Sequence, residues 1–263
     1  MIPQADIAHW RTQVPWISAE NVEQDLVLSR LIVEIARHPL LGHELVFRGG
    51  TCLHKLWLDR PWRYSEDLDY VRRSGGGIGD VLDAIREVAV AVGFDDVRTA
   101  VSQHPKARLR TSYEAGGTFN IKVEINTYER SPARSTVTKH YEVNSPWFQG
   151  AAEVPTFCIP ELIATKVRAL YQRSKGRDLF DIWLVVAQQQ LDPVEIAACF
   201  ETYRPDGWTT KRATANLDEK LANSAFTGDL EPLIAEWPQG YTVEAGHEAA
   251  QSIFDAIEAR RLS

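Results

Sequence analysis

Apolar and polar positions follow two periods in turn along this chain. In 20–37, ENVEQDLVLSRLIVEIAR, residues Val22, Leu26, Leu28, Leu31, Ile32 and Ile35 recur near helical spacing, and Ser18 is suited to cap that helix. The short apolar run at 45–47 ends in Arg48-Gly49-Gly50, which predicts a strand entering a tight turn. Leu53, Leu56 and Trp57 share one side of 51–58, a helix that Pro61 breaks. Period two takes over in DLDYV at 67–71, where Leu68 and Tyr70 face one way. A glycine loop at 75–77 leads into an amphipathic helix over 80–94 that stops near Gly93.

Strand-like runs follow at 108–115 and 118–128, and Gly116-Gly117 between them reads as a hairpin turn. In the second arm Ile121, Val123 and Ile125 share one face, and Lys122, Glu124 and Asn126 share the other. Residues 136–143 suit a further strand. Beyond 160 the pattern is helical, over 160–174, 177–189, 193–203, 218–226 and 244–262. The change in character near 155 divides the chain into 1–155, an α/β (α+β) core with a mixed sheet and an N-terminal helix, and 156–263, a helical C-terminal domain.

Composition narrows the class. The 263 residues are 44% hydrophobic and 25% charged, ordinary values for a globular chain able to bury a core without staples. No apolar run is long enough to span a membrane, and the first ten residues lack a basic-then-apolar leader, so a cytoplasmic protein is expected. Cys52, Cys158 and Cys199 are far apart, with no zinc spacing and no disulfide framework. The net charge of −7 is uneven: residues 98–177 hold 13 Lys/Arg against 6 Asp/Glu, while both flanks are acidic. A basic middle is suited either to a polyanion or to balancing the acidic ends.

Candidate chemistry concentrates in 48–71, RGGTCLHKLWLDRPWRYSEDLDYV. Gly49, Gly50 and Thr51 stand between a strand and a helix, where a backbone can approach a phosphate and free N–H groups face an anion. Lys55, one turn later, would add positive charge. Asp67 and Asp69 are two apart on a strand, so both carboxylates share a face and suit a hard cation. Arg63 and Ser65 share their parity. A glycine pair alone marks a turn, and Asp-x-Asp alone marks a strand edge. The ordered set within 25 residues suits nucleotidyl transfer, in which two ions clamp the attacking and leaving oxygens. Glu124, on the polar face of its strand, is the candidate third carboxylate. A second cluster combines Lys166 and Arg173, seven apart on a helix, with Asp178 and Asp181, three apart on the next. Those basic groups suit a triphosphate and a leaving pyrophosphate, or ordinary ion pairing such as Arg177 with Asp181.

GGTCLHKL, RYSEDLDYV and ELIATKVRALYQRSKGRDLFDIW together resemble the AbiEii/AbiGii toxin family, which includes the mycobacterial MenT toxins, over roughly residues 20–190. The resemblance implies a DNA polymerase β-like nucleotidyltransferase core followed by a helical C-terminal part. It makes Gly50 and Thr51 the family's Gly-Ser/Thr motif and Asp67 and Asp69 its metal-binding pair. Lys166 matches its later lysine, and Asp178 and Asp181 match its paired acids. Glu124 stands where related enzymes place a third carboxylate, often Asp. On this resemblance Asp67, Asp69, Glu124, Lys166 and Asp181 are expected to be catalytic, with the first three holding metal. Gly49, Gly50, Thr51, Lys55, Arg63, Ser65, Arg173 and Asp178 are expected to bind nucleotide.

The implied activity is Mg2+-dependent (or Mn2+-dependent) transfer from an NTP to the 3′ end of tRNA, which halts translation and growth. The implied partner is a cognate antitoxin encoded nearby. Ser65, two residues before Asp67, is a candidate phosphorylation switch. The same core would also serve a small-molecule nucleotidyltransferase of the aminoglycoside type, or a non-catalytic nucleotide-binding module acting through a partner.

Overall fold

The computed structural model describes residues 2–262. Its contacts divide the chain into two compact units, one running to Ser131 and including Thr136–Phe157, the other holding Pro132–Ser135 and everything from Cys158.

The first unit opens with α1 (Gln4–Arg11), α2 (Ala19–Arg37) and α3 (Pro39–Glu44). Ser18 caps α2 as its sequence predicts, accepting from the Asn21 N–H. Then come β1 (Leu45–Arg48), α4 (Gly49–Leu56), β2 (Leu68–Arg72) and α5 (Gly79–Val92). Gly93 ends α5 with φ of 112°, a left-handed cap that glycine adopts without strain. The strands β3 (Asp96–Ala100), β4 (Lys106–Ser112), β5 (Thr118–Asn126), β6 (Val137–Asn144) and β7 (Gln149–Thr156) complete one mixed sheet in the order β3-β4-β5-β2-β1-β7-β6. The β2–β5 and β1–β7 pairs are parallel and the others antiparallel.

Register assigns the two faces. Phe47, Tyr70 and Ile125 lie abreast on β1, β2 and β5, as do Leu68 and Val123, and all are buried. Arg48, Asp69, Glu124 and Lys106 lie abreast on the opposite face. Strand β7, with Pro155 and two alanines, carries no clear period-two signal, yet it joins β1 to β6.

The second unit is helical: α6 (Ile159–Gln172), α7 (Gly176–Trp183), α8 (Pro193–Tyr203), α9 (Thr210–Leu221), α10 (Ser224–Thr227) and α11 (Val243–Leu262). The helix expected over 177–189 ends at Trp183 and passes into a π-helical turn, Leu184–Gln188. The one expected over 218–226 is two helices, because the Asn223 side chain accepts from the Ala225 N–H and caps a new start. The segment Pro132–Ser135 is held by the fully buried Glu161 carboxylate, which accepts from the Ala133 and Arg134 N–H groups and from the Tyr203 hydroxyl. No described helix is long and apolar enough to cross a membrane.

Candidate functional site

In the first unit, Gly49 and Gly50 form the first turn of α4 rather than a loop before it. Gly49 has φ of 85°, and a Cβ built there would collide with the Asp69 carboxylate. A Cβ on Gly50 would collide with the Arg63 guanidinium. The glycines therefore let the start of α4 close on two charged side chains of the Asp-x-Asp region. Thr51, buried in the same turn, donates to the Asp67 carbonyl oxygen at 2.6 Å and stands 2.8 Å from Ser65 Oγ. Arg63 is also buried, and its Nη1 donates to the Tyr64 carbonyl. Gly49, Gly50, Thr51, Arg63, Ser65, Asp67 and Asp69 thus form one assembly.

Asp69 is abreast of Glu124 on parallel strands and abreast of Arg48 on the other side. Lys122 Nζ lies 3.0 Å from Asp67 Oδ2 and 3.4 Å from Glu124 Oε2. The three side chains Asp67, Glu124 and Lys122 are 45%, 35% and 33% exposed, so the group is open to solvent. Burial pushes the Asp69 carboxyl above its ordinary pKa; Arg48 opposes this, while Asp67 and Glu124 add to it. Arg48 is committed to Glu129, whose backbone N–H is fixed by the Asn126 side chain at 2.9 Å. The exposed side of the neighbouring β4 presents Arg108 abreast of Lys122, with Arg110 two residues on.

Three carboxylates offer hard oxygen donors, and that chemistry fits Mg2+ rather than a soft metal. Among the described residues, no group of three or more His, Cys, Asp or Glu converges tightly enough to cage an ion. The Lys122 ammonium stands between Asp67 and Glu124 instead. Alternation placed Lys122 on the face of Glu124 without showing that it also reaches Asp67.

Lys55 is a correction to the sequence-based expectation. Its ammonium is buried on Asp25, 2.8 and 2.7 Å from the two carboxylate oxygens, and 3.0 Å from Ser29 Oγ. Asp25 also accepts from the indole N–H groups of Trp10 and Trp16, both at 2.9 Å. The charge of Lys55 balances a buried carboxylate of α2 and is spent inside the core, away from any nucleotide.

In the second unit, Lys166 Nζ lies 3.2 Å from Asp178 Oδ1 and 2.8 Å from Asp181 Oδ2. Arg173 grips Asp178 with two parallel bonds, 2.7 Å from Nε and 2.9 Å from Nη2. Both carboxylates are fully buried, Lys166 nearly so, and Arg173 is 52% exposed. Burial pushes Asp178 up, but the Lys166 charge and the Arg173 bonds outweigh it and hold the group below its ordinary pKa. Asp178 also lies in the first turn of α7, where the helix favours negative charge. Arg177 pairs with Asp229. Gly176 is required by close approach, since a Cβ there would collide with the Phe226 carbonyl oxygen.

The sequence model described as nucleotidyl transferase AbiEii toxin, type IV toxin–antitoxin system, matches residues 30–251. The fold is similar to the crystal structure of JHP933 from Helicobacter pylori, at 15% identity and a TM-score of 0.58, covering 94% of this chain and 97% of that one. It is also similar to MenT4, a nucleotidyltransferase toxin from Mycobacterium tuberculosis H37Rv, at 15% identity and a TM-score of 0.61, covering 98% and 90%. A search of curated proteins finds no match to the sequence.

Proposed function

The chain belongs to the AbiEii family of nucleotidyltransferase toxins of type IV toxin–antitoxin systems, and from that premise we propose that it transfers a nucleoside monophosphate from an NTP to the 3′ end of tRNA with Mg2+. The observation that carries the reading is the placing of Asp69 abreast of Glu124 by the parallel β2–β5 pair, with Asp67 two residues before Asp69 and joined to Glu124 through Lys122. Asp67 and Asp69 would hold the ion, with Glu124 as the third carboxylate. When bound, the ion supplies charge neutralisation at the phosphoryl oxygens.

The chain's own residues do the rest. The α4 turn, free of side chains at Gly49 and Gly50, leaves backbone N–H groups for a phosphate. Thr51, Ser65 and Arg63 fix the path leading to Asp67. The acceptor hydroxyl oxygen bonds to the α-phosphorus, the bond from that phosphorus to the bridging oxygen breaks, and pyrophosphate leaves. The hydroxyl proton passes to Glu124, which is half-exposed and able to release it to water.

A polyanionic acceptor is supported by Arg108 and Arg110 on the face that carries Lys122 and Glu124. Such an enzyme would act in the cytoplasm and be restrained by a cognate antitoxin. The test incubates the purified protein with Mg2+, total bacterial tRNA and each labelled NTP in turn. Label on tRNA with one NTP, absent in Asp69→Asn, is the expected result. Growth arrest on overexpression without label on tRNA would overturn the tRNA assignment.

A further inference from the structure

The acidic face already contains a cation of its own. Lys122 and Glu124 are two apart on β5 and so share a face, while Asp67 comes from the residue just before β2. One ammonium bridges these two carboxylates, at 3.0 and 3.4 Å, drawing together groups from different segments of the chain. Arg48 pairs with Glu129 and acts on Asp69, abreast of it, whereas the ammonium of Lys122 is the cation within ion-pair distance of Asp67 and Glu124. Lys122 is also free to leave: its side chain is 33% exposed and ends a flexible four-carbon stem. Across the register it faces Arg108, a like charge, so its attraction is toward the carboxylates and not toward β4.

We propose that Lys122 occupies the cation position between Asp67 and Glu124 and is exchanged for the divalent ion when substrate arrives. This rests on the nucleotidyltransferase reading of the same carboxylates. The exchange has a consequence for binding order. Without nucleotide, an incoming ion must displace an ammonium that has nowhere better to go. With nucleotide, the phosphates offer that ammonium a new partner on the same face. Ion and nucleotide therefore bind cooperatively, and each strengthens the other by the same factor. The device also keeps three neighbouring carboxylates from repelling one another in the resting protein.

The test measures Mn2+ binding to the full chain by the loss of the free-ion electron paramagnetic resonance signal, with no turnover involved. Lys122→Met is expected to bind Mn2+ about three- to tenfold more tightly than wild type in the absence of nucleotide, the strength of one or two exposed ion pairs. Lys122→Arg, which keeps the charge, is expected to stay near wild type. A non-hydrolysable NTP analogue should tighten Mn2+ binding more in wild type than in Lys122→Met. Circular dichroism and melting confirm the fold of each variant, and Lys122→Gln replaces Lys122→Met if the latter fails to fold. Equal or weaker Mn2+ binding by the folded neutral variants, with binding lost in Asp69→Asn, overturns the exchange and leaves the carboxylate site standing. No Mn2+ binding by any of the proteins overturns both.

Discussion

The two charged clusters are built from the same residue types and differ in balance and depth. At the sheet, Asp67 and Glu124 share Lys122, and Asp69 feels Arg48, which is itself paired with Glu129. In the helical unit, Asp178 and Asp181 meet Lys166 and Arg173, two negative charges against two positive, with both carboxylates sealed from water. A surplus of carboxylate at an accessible place leaves room for an added cation. An even balance at a sealed place satisfies every charge internally, and its removal strands a partner. The first arrangement suits chemistry at little structural cost, while the second ties α6 to α7 and makes any chemistry there depend on an intact scaffold.

Breaking each cluster should separate the two. Asp178→Ala leaves Lys166 and Arg173 without their shared acceptor, and unfolding free energy should fall by about 3–5 kcal/mol, read by urea titration. Asp69→Asn should do the reverse: labelled nucleotide incorporation drops to background while the ion-free melting temperature holds or rises by about 2 °C, since a disfavoured buried charge is gone.

Gly49→Ala sharpens the contrast inside the first unit. Its positive φ and the collision with Asp69 should cost about 1–3 kcal/mol and lower activity together. Gly76→Ala, at φ of 94° with open space around it, should cost about 1 kcal/mol and leave activity unchanged.

Acid should act on the clusters with opposite sign. Asp178 is held below its unfolded value, so its stabilisation is complete above about pH 4 and disappears as pH falls through the folded value. Asp69 is held above its unfolded value, so its penalty is full above the folded value and fades as pH falls toward about 4. Melting from pH 7 to pH 3 should therefore show Asp178→Asn with a flatter acid limb than wild type. The gap between wild type and Asp69→Asn should close at the acid end.

Local regularities were the legible part. Alternation in IKVEIN fixed the faces of β5, and Ser18 announced α2, because each signal lies within a few residues of the structure it dictates. Parity likewise put Asp67 with Asp69 and Glu124 on the polar face of its own strand, but the register that sets Glu124 beside Asp69 joins strands far apart in the chain. Long-range partners were not legible. Lys55 looks like a phosphate ligand until Asp25, thirty positions earlier, closes on it with two tryptophans. The glycine pair reads as room for a phosphate, and the sequence could not name Asp69 and Arg63, the side chains that pack against it. Strands β3 and β7 escaped notice because they lack strong alternation and are held by neighbours. The first half of α9, TKRATANL, buries only Ala213 and Leu217 and offers too narrow an apolar stripe to announce itself.

The Glu161 clasp bears on how such a gene can be cut and joined. Because Pro132–Ser135 belongs with the helices while the chain on either side belongs with the sheet, the helical unit is not one continuous stretch of coding sequence. A fragment beginning at Cys158 would keep Glu161 buried with the Tyr203 hydroxyl but without its two backbone donors. Recombination that swaps the C-terminal half between relatives at that point would also separate Glu161 from the loop it was selected with. The helical unit is therefore expected to be exchanged intact only by crossovers that carry residues 132–135 along.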